Sequence, residues 1–349
     1  MAVTTPEQPT LPLLDLSLFL QGNAAEQKQF ADDFCNCLKA HGFAKLINHG
    51  LDDESVKQLY HWNRNFFTLS PEAKVNMAHP GGPIPQRGWS RLGAENSAKL
   101  HRSGVNGGKE GKAAEKQEGG ASVDLEDSRE HFDQGMGTDA KFPNRWPREE
   151  DLPGFRGFME KHYDRCNFIS VALLESIELS LGLDKGRLST QCVGGASEMR
   201  LNHYPPISVG QMKQGSVSRI WPHTDLGVLT LLFQDTVGGL EIEDRTRKGS
   251  FFPVPRGEWN ELIVNVSETL ERWTNGVLPA GVHQVTVPPS LKDQDDATIP
   301  ARFSNAFFVK ADREADVGAL EHFVKAGEEP RYKSMTAHEY HTSRVASAY

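Results

Sequence analysis

Trp221-Pro-His-Thr-Asp-Leu-Gly227, followed at once by the apolar run 228–233, holds the densest chemistry in the chain. Side chains alternate along an extended segment, so His223 and Asp225 are expected to project to one side and Thr224 to the other. A second histidine, His283, stands in Ala280-Gly-Val-His-Gln-Val285, far enough along for several strands to fold back beside the first. Two imidazoles and a carboxylate on one face make a facial triad of the kind that holds non-haem iron and leaves positions open for ligands and oxygen. Alone, an H-x-D triplet is a weak signal, because thirteen histidines and many aspartates produce one by chance. A lone histidine inside an apolar run is more often a packed core residue.

Working outward from this stretch, short β-type runs recur at 199–204, 228–233, 240–242, 251–254, 262–266, 282–287 and 302–309, separated by Pro, Gly and Asp turns. That spacing suggests a sandwich or jelly roll. A long helical pattern precedes them, from Phe155 to about Leu183, with Gly182 as its stop. Helical character returns from about 318 to 349. The N-terminal third is mixed α and β: strands at 11–16 and 42–48, a helix carrying Val56, Leu59, Tyr60, Phe66 and Phe67, and another short one opened by Ser70-Pro71. The expected organisation is an α/β region over 1–150 and a core with supporting helices over 151–349, together one structural unit. Between about 96 and 127 the composition shifts to Gly, Lys, Glu, Ala and Ser without an aromatic residue, which predicts a mobile insertion or a lid. The phosphate-loop spacing G-x-x-x-x-G-K-[ST] is not met there.

Composition narrows the function classes. The 349 residues, 38% hydrophobic, suffice for a sizeable core. No basic stretch leads into an apolar run at the N-terminus, and no run approaches the roughly 18 apolar residues of a spanning helix, so neither a secretory signal nor a membrane partner is expected. Four cysteines without pattern read as reduced cytoplasmic thiols. A net charge of -9 repels a phosphate backbone and argues against nucleic acid, which leaves a small-molecule substrate. Nothing fixes the oligomeric state, and a monomer is compatible with the sequence.

Two further alternating pairs bear on the triad. In Pro300-Ala-Arg-Phe-Ser-Asn305, Arg302 and Ser304 share a strand face. An arginine inside an apolar barrel is costly unless paired, and its planar fork suits a carboxylate. The bland alternative is an ion pair with a core Asp or Glu. Asn202 and Tyr204, in Arg200-Leu-Asn-His-Tyr-Pro-Pro206, share another face, with the two prolines ending the strand.

In order, N-x-Y-P-P, H-T-D, a distant H and R-x-S resemble the iron(II)- and 2-oxoglutarate-dependent oxygenase superfamily, in the branch of isopenicillin N synthase and the plant flavonoid and hormone oxygenases. The resemblance covers Pro12 to Asp15, Gly42-Phe43 with Asn48-His49-Gly50, the Phe66-Phe67 helix, and Arg200 to Phe308. The run Leu231-Leu-Phe-Gln-Asp-Thr-Val-Gly-Gly-Leu240 is similar to fungal members, thymine hydroxylase and secondary-metabolite oxygenases among them. It implies a double-stranded β-helix (jelly roll) core flanked by helices. It also implies iron(II) on His223, Asp225 and His283, and the distal carboxylate of 2-oxoglutarate on Arg302, Ser304 and Tyr204, with Asn202 beside them. O2 would be the second co-substrate, and a C–H bond of a small molecule would be oxidised, most simply hydroxylated, as succinate and carbon dioxide leave. The chain departs from the family where many relatives read N-x-G-D and H-R-V: it has Asn265-Val-Ser-Glu268 and His283-Gln284-Val285, and neither departure is expected to touch a ligand.

Arg200, Leu226 and Phe308 flank these motifs and are the candidate substrate contacts. Arg200 suggests an acidic or carbonyl-bearing partner. His338 and His341 lack metal spacing and are expected to face solvent or pack. Two other readings stay open: an iron oxidase that needs no 2-oxoglutarate, as isopenicillin N synthase is, and a non-catalytic binding protein on the same fold.

Overall fold

The computed structural model describes residues 10–82, 84–95, 97 and 125–345, so most of the insertion expected at 96–127 lies outside the described residues. In chain order the strands are β1 (Leu13–Asp15), β2 (Phe43–Ile47), β3 (Gly88–Ser90), β4 (Glu126–Asp127), β5 (Glu130–Gly135), β6 (Glu198–Tyr204), β7 (Ile207–Ser208), β8 (Val217–Ser218), β9 (Ile220–His223), β10 (Leu229–Gln234), β11 (Leu240–Glu243), β12 (Phe251–Pro253), β13 (Leu262–Val266), β14 (His283–Val285), β15 (Thr298–Ile299) and β16 (Arg302–Val309). Eight form one sheet in the order β1-β2-β13-β10-β16-β6-β5-β3, and four form a second in the order β12-β11-β14-β9. Phe43, Tyr204, Ile220, Ile242, Phe252, Ile263 and Val285 from the two sheets join in one buried apolar cluster. This is the jelly roll that the sequence implied.

Alternation along β16 explains how one strand serves two layers. Its odd positions turn outward to helices: Asn63, on the helix Asp53–Phe67, donates to Asn305 Oδ1 at 2.7 Å. Phe307 meets Tyr163 of the helix Phe155–Leu181 edge-on, with ring centroids 5.0 Å apart. The even positions Arg302, Ser304 and Phe308 are left to face inward. The long helix stops where the sequence predicts, at Gly182, whose φ of 68° lets its N–H close back onto the Glu178 carbonyl.

The structure also differs from expectation. Strands β3, β5 and β9, and the two-residue strands β4, β7, β8 and β15, have no counterpart among the runs expected from the sequence. Residues 318–349 are not helical throughout: among the described residues only the turn Glu321–Phe323 and the helix Ala337–Val345 form. Gly318, Gly327 and Pro330 interrupt helix propagation, and backbone bonds such as Leu320 N–H to the Trp273 carbonyl at 3.0 Å hold the irregular chain instead. No described helix is long and apolar enough to cross a membrane.

Candidate metal centre

β9 pairs with β14 so that His223 and His283 are register partners, their ring centroids 4.2 Å apart. Each ring is oriented by its own strand. His223 Nδ1 lies 2.9 Å from the Trp221 carbonyl oxygen and His283 Nδ1 3.2 Å from that of Gly281. With Nδ1–H donating there, Nε2 keeps its lone pair for a metal.

Asp225 arrives differently from the alternation expected of it. The strand ends at His223, and Asp225 sits in the turn before β10. Tertiary hydrogen bonds aim it: its Oδ2 accepts from Thr230 Oγ1 at 2.7 Å and from Asn265 Nδ2 at 2.9 Å. Its Oδ1 then lies 3.7 Å from His223 Nε2. One ligand atom from each of the three residues falls within 4.8 Å of the others. The turn is tight enough to need Gly227, where a Cβ would come 2.4 Å from the Val309 carbonyl oxygen. Burial, with His283 adding to it, pushes the His223 imidazole well below its ordinary pKa. Burial opposes the Asp225 carboxylate, but the two histidines and its hydrogen-bond donors outweigh it and hold its pKa down. Neutral imidazole and ionised carboxylate are the states that bind a divalent cation.

On the adjoining strands, Arg302 is opposite Tyr204 and Ser304 opposite Asn202. The Arg302 guanidinium lies 4.9 Å from the centre of the Tyr204 ring, and Nη2 reaches Gln234 Oε1 at 3.3 Å. Although the residue is only 1% exposed, its Nε and Nη1 have no acceptor among the described residues. The core carboxylate that would explain this arginine structurally is not found there, and a buried guanidinium with open N–H groups fits an anionic ligand. Asn202 is engaged elsewhere: its Nδ2 donates to Ser304 Oγ at 3.2 Å and its Oδ1 accepts from Arg129 at 3.3 Å. Sequence reasoning passes over Arg219, a second fully buried guanidinium whose Nε and Nη1 also lack acceptors among the described residues. Its signal is an arginine at the threshold of an apolar strand.

Beside the triad opens a cleft with about 760 Å³ of empty space, its mouth included, lined by Arg200, Leu226 and Phe308 together with His223 and Asp225. The three candidate substrate contacts are thus gathered in one place. Arg200, however, is not open to an acidic partner: its Nε donates to Asp133 Oδ1 at 2.7 Å and its Nη1 to Glu95 Oε2 at 2.8 Å. Its guanidinium also lies 5.4 Å from the Phe308 ring centre. Glu95 pairs with Arg129 as well, and Glu198 with Lys310 and Arg87. His341, expected to face solvent or pack, instead lines the cleft, and burial pushes its pKa down to about 3.

His341 belongs to the helix Ala337–Val345, and Glu268 fastens that helix to the loop that carries Thr224 and Asp225. Arg344 donates to both Glu268 oxygens, at 3.0 and 2.8 Å, and the Tyr340 hydroxyl joins them. From the other side Thr224, between two of the triad residues, donates to Glu268 Oε1 at 2.6 Å. The Glu268 N–H also bonds the Asp225 carbonyl at 2.8 Å. The segment 265–268 therefore touches Asp225 at two points: Asn265, which N-x-G-D shares, through its side chain, and Glu268, one of the departures, through its backbone N–H, a contact the sequence did not lead one to expect.

The chain is similar to known proteins over its whole length. Residues 196–311 match the family described as the 2OG-Fe(II) oxygenase superfamily, and residues 11–149 match the N-terminal region of the non-haem dioxygenases in morphine synthesis. A 2-oxoglutarate-dependent dioxygenase of Penicillium fellutanum is 44% identical, the match covering 98% of this chain and 96% of that protein. Another, of Aspergillus rugulosus, is 43% identical over 96% and 98% of the two. Among solved structures, a full-length Neurospora crassa protein in complex with α-ketoglutarate and thymine superposes with a TM-score of 0.82 at 26% identity, covering 100% of both chains.

Proposed function

The chain belongs to the 2-oxoglutarate–iron(II) oxygenase superfamily and is a 2-oxoglutarate-dependent oxygenase of small molecules, and on that premise we propose that His223, Asp225 and His283 hold the iron while Arg302, with Ser304 and Tyr204, takes the distal carboxylate of 2-oxoglutarate. One observation carries the assignment: a compact triad lies in the same barrel as a buried guanidinium whose Nε and Nη1 have no acceptor among the described residues. When bound, the iron with 2-oxoglutarate and O2 supplies the oxidising power for a C–H bond, releasing succinate and carbon dioxide. The protein supplies the geometry. The Trp221 and Gly281 carbonyls fix the rotation of the imidazoles, Thr230 and Asn265 occupy the outer oxygen of Asp225, and Phe308 and Leu226 present an apolar wall to the substrate.

The substrate we assign to the cleft is neutral and hydrogen-bonding, such as an amide, lactam or imide, and the reaction is hydroxylation. Arg200, Arg129 and Lys310 already face Glu95, Asp133 and Glu198, so a charged substrate would have to displace a paired, desolvated partner. The Neurospora protein, crystallised with thymine, accommodates a neutral cyclic imide. A cytoplasmic protein acting on small molecules rather than nucleic acid accords with the net charge of -9 and with free, buried cysteines.

Anaerobic iron(II)-loaded protein given 2-oxoglutarate is expected to develop a visible charge-transfer band that His223→Ala abolishes. Neutral amides, not carboxylic acids, should then trigger succinate release one-for-one with product. Substrate oxidation without 2-oxoglutarate would overturn the co-substrate assignment, and triggering by acids alone would overturn the substrate class.

A further inference from the structure

We infer that Arg219 is the second arm of the clamp on the co-substrate's distal carboxylate and sets the preference for a dicarboxylic over a monocarboxylic 2-oxo acid. The inference rests on the reading that Arg302 receives that carboxylate. Arg219 immediately precedes β9, the strand that ends in His223. Its guanidinium carbon lies 6.0 Å from the centre of the Tyr204 ring, and that of Arg302 lies 4.9 Å from the same centre. Two cations thus gather at one aromatic ring, at 0% and 1% exposure.

The Pro300 carbonyl accepts from Arg219 Nη2 and anchors the side chain from behind. Its Nε and Nη1, like the same two atoms of Arg302, have no acceptor among the described residues. No described carboxylate forms an ion pair with either guanidinium. Asp235 is near enough for its charge to favour the Arg219 guanidinium, but it forms no ion pair with it, and its two oxygens accept the backbone N–H groups of Phe303 at 2.6 Å and Val237 at 3.0 Å. Burial, and then the repulsion of Arg302, lower the Arg219 pKa to about 10. A structural arginine would be neutralised by its surroundings. These two instead present open N–H groups and like charge, an arrangement that a bound carboxylate relieves, since each of its oxygens can accept from a guanidinium fork.

Calorimetric titration of protein loaded with Mn(II) in place of iron tests this by binding rather than turnover. The ligands are 2-oxoglutarate and 2-oxopentanoate, which has the same carbon chain but no distal carboxylate. Arg219→Met should weaken 2-oxoglutarate by about 10- to 100-fold and leave 2-oxopentanoate within about threefold. Ligand-free Arg219→Met should melt no lower than the parent, because a buried unpaired charge has gone, while the rise in Tm on adding 2-oxoglutarate shrinks. Arg219→Lys, which keeps the charge and loses the fork, should fall between the two in 2-oxoglutarate affinity. Equal losses for both acids, or an unchanged affinity for 2-oxoglutarate, would overturn the inference. If Arg302→Met selectively loses 2-oxoglutarate while Arg219→Met does not, only the role of Arg219 fails; if the parent protein binds both acids equally, the reading of Arg302 fails with it.

Discussion

Replacing Glu268 by Gln should loosen the C-terminal helix without dismantling the barrel. Glu268 holds Arg344 through two hydrogen bonds of 3.0 and 2.8 Å, with side-chain exposures of 12% and 9%, so the pair is largely desolvated. A charge-assisted hydrogen bond contributes about 1.5–3 kcal/mol, and breaking a fully buried pair costs about 3–5 kcal/mol. An isosteric amide that still accepts one bond should cost about 2–3 kcal/mol. The helix Ala337–Val345 has nine residues, too few to persist without tertiary contacts. The cost therefore falls on its docking, and the detached population should rise about 30- to 150-fold. Because His341 lines the cleft, detachment opens that wall and admits water. Hydrogen exchange should speed up by that factor at the amides of 337–345 and not in β10 or β13, and succinate formation should exceed product formation. Unchanged exchange at the helix together with one-for-one coupling would refute the latch.

Three other perturbations separate parts of the site. Thr230→Val removes the 2.7 Å hydrogen bond to Asp225 Oδ2, and Mn(II) or iron(II) titration should show about 10- to 100-fold weaker binding with little change in fold. Gly227→Ala drives a Cβ to 2.4 Å from the Val309 carbonyl oxygen; about 1–3 kcal/mol of stability should be lost in urea unfolding, with metal affinity falling alongside because the turn carries Asp225. Burial would raise the Glu95 pKa, but Arg200 and Arg129 outweigh it and hold it at about 2. That depressed value adds stability above the unfolded pKa of about 4.3, which is lost as pH falls toward 2. Glu95→Gln should therefore flatten the dependence of unfolding free energy on pH between about 4.5 and 2, and an unchanged slope would refute the assignment.

What is legible in the sequence and what is hidden follow from the range of the forces involved. β13 and β16 can be read to the residue because short runs rich in β-branched and aromatic residues are written locally in 262–266 and 302–309. β5 escapes such reading although all six of its residues are buried, since Glu-His-Phe-Asp-Gln-Gly has the character of a polar loop. Its burial is stabilised from far away: Asp133 pairs with Arg200, and Gln134 donates to the Met159 carbonyl. The triad is legible as a set of residue types at plausible spacing. The aim of Asp225 is not, because Thr230 and Asn265 supply it across the sheet. Glu95 is hidden for a similar reason: it sits in an irregular segment, and no local period announces a side chain that reaches the cleft. His341 is visible in the sequence as a helical residue, but its reach into the cleft depends on how the helix Ala337–Val345 docks.

That division has a physical consequence for how the site is built. The triad residues and their immediate supports come from β9, β10, β13 and β14 and the turns beside them, where backbone pairing leaves little freedom. The far wall of the cleft comes from elsewhere: Ile84, Gln86, Glu95 and Ser97 before the barrel, and His341 after it. Loops and terminal segments tolerate change that a paired strand does not. On the proposed reading, substrate choice can shift through these outlying residues while the triad and the buried pair Arg219 and Arg302 stay fixed. Glu268 is the exception, because it sits at the junction and bonds both Thr224 and Arg344. A change in the C-terminal helix is thereby felt at the loop carrying Thr224 and Asp225, so chimaeras that exchange this helix between relatives should work only when residue 268 is exchanged with it.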